Sequence, residues 1–318
     1  MSGNTNQVLA LAGGVGGAKL AAGLQQLKGG DLIVLVNTAD DFEHLGLHIS
    51  PDLDTVMYTL AGRANKSQGW GLEGETWSFM DQLEGLGGPT WFRLGDRDIA
   101  THLLRTQKLA EGIPLSLVTQ DLCRAFGVKA KVLPMSNDPV RTIVHSGDLA
   151  ISFQEYFVRL ACGPVVDQLE FRGASSAKRN DEIVGLKASS LDAVVICPSN
   201  PYLSIDPILH VPGMRRWLKD QNVPIIAVSP IVAGLAIKGP AAKIMRELGH
   251  EPSAKAVAEH YRDLIDGLMI DTSDAGLAAQ IEELGIEVRV TNTIMKSNSD
   301  RAVLAEAVLR FSSDLKKP

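Results

Sequence analysis

The stretch Val8–Leu24, VLALAGGVGGAKLAAGL, constrains the fold more than any other. An apolar run (Val8, Leu9, Leu11) meets glycines at 13, 14, 16 and 17, and leucines at helical spacing (Leu20, Leu24, Leu27) follow at once. This pattern predicts a strand, a tight turn and a helix. Glycine lets the backbone enter left-handed conformations and approach an anion closely, while the free amides of a helix start point at negative charge. Gly13, Gly14, Val15, Gly16 and Gly17 are therefore a candidate cradle for the phosphates of a nucleotide. The turn lacks the Gly-Lys-Ser/Thr ending of a P-loop and fits the dinucleotide fingerprint only loosely, so a plain glycine-rich turn is the competing reading.

Leu32–Val36 is a continuous apolar run bounded by Gly29–Gly30 and Asn37, as in a strand buried on both faces. Strand, helix, strand makes a parallel, right-handed unit. Similar runs at Ala193–Cys197, Pro224–Val228, Leu268–Ile270 and Val288–Val290 alternate with helical patterns, the last of them Val303–Phe311. The alternation predicts a doubly wound, mostly parallel Rossmann-like α/β sheet, one domain over residues 1–318. Residues 118–172 read differently. A helix over Val118–Phe126 with Thr119 as cap precedes VKAKVLPM, RTIVHS and LAISFQEYF, short β-rich runs broken by Pro and Gly. They predict an antiparallel and helical insertion that covers the substrate, with Asn137 or Asp138 in the SNDPV turn as possible phosphate or metal contacts. Ser199, Asn200 and Ser229, at the carboxyl ends of later strands, offer neutral hydrogen bonds to a base or phosphate; loop capping is their commoner use.

Residues 37–62, NTADDFEHLGLHISPDLDTVMYTLAG, carry the densest chemistry. Ser50 is the expected N-cap and Pro51 the first residue of a helix that buries Leu53, Val56, Met57 and Leu60. Asp40, Asp41, Asp52 and Asp54 then fall in a loop and helix start beside the glycine turn, at the carboxyl edge where open α/β sheets bind ligands. Asp52 is explained by the helix dipole. Asp54 with Asp40 or Asp41 has the oxygen ligands for a hard cation, against the plainer reading of solvated loop acids. His44 and His48 lie nearby and read as polar surface. Trp70 and Trp77, in a loop-rich excursion around a short helix, suit either ring stacking or the core. In Arg93-Leu94-Gly95-Asp96-Arg97-Asp98, Arg93 or Arg97 is placed to clamp a phosphate or carboxylate, with Asp98 as cap of a helix patterned by Ile99, Leu103 and Leu104.

A formal charge of −6 leaves no basic footprint for nucleic acid. Cys123, Cys162 and Cys197 are scattered without metal-ligand spacing, which suits buried thiols in a reducing compartment. The polar first residues show no secretory pattern, and no apolar run is long enough to span a bilayer, so a cytoplasmic protein without membrane association is expected.

Taken together, GGVGGAKL, the 37–62 stretch, RLGDRDIATH, VLPMSNDPV, PSNP and VSPIVAG…KGPAAK closely resemble the 2-phospho-L-lactate transferase family of coenzyme F420 biosynthesis, collinearly from Gly13 to about Lys243. The resemblance implies a magnesium-dependent homodimer. It would transfer a phospholactyl or phosphoenolpyruvyl group from a guanosine diphosphate-activated donor to the ribityl hydroxyl of the deazaflavin Fo, releasing GMP. The glycine turn with Lys19, and the loops bearing Asn37, Ser199, Asn200 and Ser229, would hold the guanosine diphosphate portion. Asp54 and Arg93 would contact the deazaflavin, and Arg97 joins them as a catalytic candidate. Asp54, helped by Asp40 or Asp41, would bind the metal or orient the hydroxyl, so Asp54→Asn is expected to abolish transfer with the fold intact. The same fold also resembles the gluconeogenesis-factor family of sugar-nucleotide-binding regulators, which implies binding without turnover.

Overall fold

The structure is a computed structural model and describes residues 6–186 and 190–316; the first five residues, read above for targeting, lie outside that range. Seven parallel strands form the central sheet: β1 (Gln7–Ala12), β2 (Leu32–Val36), β3 (Lys131–Pro134), β4 (Leu191–Ile196), β5 (Ile225–Val228), β6 (Gly267–Asp271) and β7 (Glu287–Thr291). Their order is β7-β6-β5-β4-β1-β2-β3, and each adjacent pair is parallel. The chain lays β1, β2 and β3 outward in one direction, then returns to place β4 on the other side of β1. Helices cover both faces, so the central strands are apolar on both. Leu9, Leu11, Ile33 and Leu35 enter one core, while Val8, Ala10, Leu32 and Val34 enter the other. The expected doubly wound α/β architecture is present.

Five helices matter for the site: α1 (Gly14–Lys28), α2 (Pro51–Leu60), α3 (Asp96–Ala110), α4 (Leu115–Ala125) and α5 (Asn298–Asp314). Ser50 and Pro51 occupy the expected N-cap and first position of α2, and Leu53, Val56, Met57 and Leu60 are buried. The Ser297–Asp300 capping box starts α5 two residues after the cavity-lining Met295.

Four local expectations are corrected. Lys131–Pro134, expected in the antiparallel insertion, is the edge strand β3 of the parallel sheet, because its backbone continues the register of β2. The antiparallel sheet is narrower, with Arg141–Ser146 between Leu149–Ser152 and Gln168–Arg172. Thr119 does not cap α4. That helix starts at Leu115, the Asn137 side chain accepts from the Ser116 amide at 2.9 Å, and the Thr119 hydroxyl bonds back to Leu115. Residues 42–49, read as loop, form a hairpin (Phe42–His44 with Leu47–Ile49) turned by Leu45 and Gly46 at positive φ. Asp98 is not the cap of α3 either. Gly95 is, and the Glu75 carboxylate accepts from the amides of Arg97 and Asp98 at 2.8 and 3.0 Å.

α1 lies in contact with α5 through a glycine: a Cβ on Gly23 would run into the Arg301 backbone carbonyl. Gly23→Ala is therefore expected to destabilise the protein by about 1–3 kcal/mol through overpacking. This exceeds the ~1 kcal/mol that alanine gains in helix propensity. A urea midpoint equal to or above wild type would show that the two helices separate freely.

Candidate functional site

A cavity of about 630 Å³ opens at the carboxyl ends of β1 and β4, where the strand order reverses. Open α/β sheets leave a crevice there, because successive connections run to opposite faces. Its floor is the glycine turn. Gly13 is the extended N-cap of α1, and Gly14 has φ +61°. Neither Gly13 nor Gly17 admits a side chain: a Cβ on Gly13 would meet Asp52 and Ser204, and one on Gly17 would meet the Ser199 hydroxyl. Ser199 locks the turn, accepting from the Gly13 amide at 3.1 Å and donating to its carbonyl at 2.9 Å. The Gly14 amide donates to Asp52 Oδ1 at 2.7 Å. Val15 and Gly16 also line the cavity, in the first helical turn where no intrahelical acceptor exists for their amides.

Asn37 joins this turn to the acids. Its Nδ2 donates to Asp40 Oδ2 at 3.1 Å, Asp52 Oδ2 at 3.0 Å and the Leu203 carbonyl at 3.3 Å. Both carboxylates are buried and both line the cavity. Burial pushes the Asp52 carboxyl up to about 6 although Asn37 and the Gly14 amide favour its charged form. Burial first, and then the charge of Asp52, push Asp40 well above the ordinary carboxylate range. Asp40 Oδ1 has no hydrogen-bond partner. Two facing acids with a spare oxygen lack a cation more than they lack a donor.

Asp54 belongs to a separate, deeper cluster. Arg105 from α3 grips it with both guanidinium nitrogens, Nη1 to Oδ2 at 3.0 Å and Nη2 to Oδ1. His102 stands between Asp54 and Asp98, at 3.6 and 3.4 Å, and the Tyr58 hydroxyl donates to Asp98 at 2.6 Å. Burial raises the Asp54 carboxyl despite Arg105 and His102, whereas for Asp98 the bonds from His102 and Tyr58 outweigh burial and lower it. Asp54, Asp98 and His102 are the one trio of ligating side chains brought together among the described residues. Arg105 already balances Asp54, which leaves that trio less need of a cation than Asp40 and Asp52 have.

The expected metal group Asp40, Asp41 and Asp54 does not form. Asp41 turns away from the cavity to accept from Ser50 at 2.8 Å and to face His48 at 3.3 Å, and Asp54 is engaged by Arg105. Of the other sequence candidates, Lys19, Arg93, Ser199, Asn200 and Ser229 line the cavity. Ser229 bonds both ways to Ile231, so it caps its loop, while Asn200 caps Tyr202 and Leu203 and keeps a buried Nδ2 free. Asn37 positions the acids from behind. Arg97 is not in the cavity; it is exposed and donates to the Glu73 carbonyl at 3.2 Å. Asn137 and Asp138 are consumed by backbone amides of Ser116 and Lys178. Arg93 lies over the Trp77 ring at 4.2 Å, and Trp70 meets Trp77 edge-on, so an aromatic and cationic rim borders the acid floor.

His102 and Arg105 escaped the sequence reading because α3 was patterned on its apolar residues. Leu103 and Leu104 prove exposed, and the buried face is Asp98, Thr101, His102 and Arg105. The signal was Asp98, His102 and Arg105 at four- and three-residue steps, one polar face of a helix. Phe153, Gln154, Phe157 and Val158, beyond the antiparallel sheet, also line the cavity; Gln154 is tied to the Asp40 carbonyl at 3.2 Å.

Fold and cavity together define a doubly wound α/β protein with a ligand site at its topological switch point. A family model described as 2-phospho-L-lactate transferase CofD matches residues 8–308. The chain is 41% identical to a phosphoenolpyruvate transferase of Streptomyces griseus, covering 98% of this chain and 99% of that one. It is 36% identical to a 2-phospho-L-lactate transferase of Methanosarcina mazei, covering 95% and 99%. It therefore belongs to the 2-phospho-L-lactate transferase CofD family and is a transferase. The crystal structure of a UPF0052-family protein from Bacillus halodurans shares the fold, with a TM-score of 0.62 at 15% identity over 96% of this chain and 99% of that one. Among the described residues no helix is long and apolar enough to cross a membrane.

The Asp54–Arg105 pair changes one expectation. Asp54→Asn leaves a buried guanidinium uncompensated and is expected to cost about 3–5 kcal/mol of stability, so the fold is not left untouched. The double variant Asp54→Asn/Arg105→Met is expected to recover much of that loss in chemical denaturation. A single variant as stable as wild type would show the pair to be solvated.

Proposed function

We propose that this chain transfers a phosphoenolpyruvyl or phospholactyl group from a guanosine diphosphate-linked donor to the ribityl hydroxyl of the deazaflavin Fo, with release of GMP, in coenzyme F420 biosynthesis. The observation that carries this reading is the juxtaposition, in one cavity, of a glycine turn at a helix start with a buried pair of acids. Phosphoryl transfer asks chiefly for alignment and for neutralisation of charge on the moving group. The amides of the glycine turn supply fixed dipoles toward the diphosphate. Asp40 and Asp52 fit a divalent cation such as magnesium: both are buried, both are pushed toward their neutral form, and Asp40 Oδ1 is unpartnered. When bound, such an ion would offset phosphate charge, as magnesium does with one or two carboxylates plus substrate oxygens.

The chain's own groups divide the remaining work. Asn37 keeps the two carboxyls apart and aimed into the cavity. Asp54, fixed by Arg105, presents a carboxylate that accepts a hydrogen bond from the incoming hydroxyl and orients its oxygen. Trp70, Trp77 and Arg93 offer a flat, cationic rim on which a deazaflavin ring can stack.

Incubation of the protein with Fo, magnesium and each guanosine diphosphate ester in turn, followed by mass spectrometry, is expected to yield GMP and the acid-bearing phosphodiester of Fo. Absence of product with both esters would end the proposal. Millimolar magnesium is expected to raise the melting temperature of wild type, and Asp52→Asn to lose that rise; an equal rise in the variant would move the ion elsewhere.

A further inference from the structure

One wall of the cavity holds positive charge that no acid balances. Lys19 lies one turn beyond Val15 on the same face of α1, and its Nζ donates to the Met295 carbonyl at 3.0 Å. Lys238 Nζ stands 2.5 Å from where a Cβ on Gly69 would be, and Val15 Cγ2 borders the same spot at 3.6 Å. Arg301, in the first turn of α5, completes the group, and its Nε is buried without a hydrogen-bond partner. Burial, with the charges of Arg301 and Lys238, holds the Lys19 ammonium below its ordinary range. Among the described residues none of the three makes an ion pair. Lys296 lines the same cavity but sits beside the Asp300 carboxylate, which sets it apart from them.

Three unbalanced cations in one place repel each other, and that repulsion is relieved only when an anion lies among them. The acids reach the glycine turn at Gly13 and Gly14, whereas the cations reach it from Val15 onward. The turn therefore divides an acidic side from a basic side.

We propose that Lys19, Lys238 and Arg301 form the leaving-group subsite, holding the phosphate of the departing guanosine monophosphate on the side of the turn away from the acceptor. This rests on the transferase reading above. In the step it serves, the acceptor oxygen bonds to the acid-bearing phosphorus, and the bond from that phosphorus to the bridging oxygen breaks. The bonding pair passes to the bridging oxygen, which leaves as part of the GMP phosphate, while the hydroxyl proton is released to water. Negative charge thus grows on the nucleotide side as the reaction advances, and fixed cations there stabilise the transition state more than the ground state.

Calorimetric titrations with GMP and, separately, with Fo test the assignment on wild type, Lys238→Met and Arg301→Gln. Lys238 is exposed, so its replacement leaves the fold undisturbed. Each variant is expected to bind GMP about tenfold more weakly, the loss of one charge-assisted contact, with Fo affinity unchanged and kcat lowered more than donor KM is raised. If wild type binds both ligands and neither variant loses GMP affinity, the subsite is wrong and the transferase reading stands. If wild type binds Fo but no GMP, both are wrong.

Discussion

The Asp52 carboxylate is the junction on which the site depends. One oxygen takes the Gly14 amide at the start of α1, and the other takes the Asn37 amide at the end of β2. Asn37 in turn holds Asp40 and the Leu203 carbonyl in the loop after β4. Four segments distant in sequence are thereby tied at one buried point. A carboxylate there is costly, since burial disfavours its charge, and the cost is met by two donors and completed by a cation. A side chain that merely capped a helix would not need Asp40 beside it.

Around that junction the structure sorts its charges. Asp54 and Asp98 are neutralised within the protein by Arg105, His102 and Tyr58, so they form a stiff wall. Asp40 and Asp52 are left short of positive charge, and Lys19, Lys238 and Arg301 are left short of negative charge. These two deficits face the same cavity from either side of the glycine turn. A ligand that brings a divalent ion to the first and a phosphate to the second relieves both, which is why a nucleoside diphosphate ester with magnesium suits this cavity better than a neutral molecule.

Membership of the CofD family and the physical reading of the cavity support each other without overlapping. The relatives' names specify a phosphorylated three-carbon acid, a distinction of one hydroxyl or double bond that no gross feature of the cavity addresses. The cavity specifies where an anion, a cation and a flat ring can sit. Lengthening of the insertion's role is also structural: Phe153, Phe157 and Val158 reach the cavity from beyond a separate antiparallel sheet, closing its apolar side and lowering the local dielectric around the charges.

What the sequence determined by itself was everything local in period: the strand, turn and helix of Val8–Leu24, the doubly buried strands, the Ser50–Pro51 helix start, and the crowding of Asp40, Asp52 and Asp54 near the glycines. Only the tertiary structure decided which acids meet. Side chains two residues apart on α2 point to different neighbours, so Asp52 pairs with Asp40 while Asp54 pairs with Arg105, fifty-one residues away. Likewise, α3 buries its polar face because that face meets Asp54 and Tyr58, overriding the leucines that its local pattern put inside. Pattern is set by backbone period, which a chain carries in every short window; charge pairing is set by which segments the sheet order brings together, which no window contains.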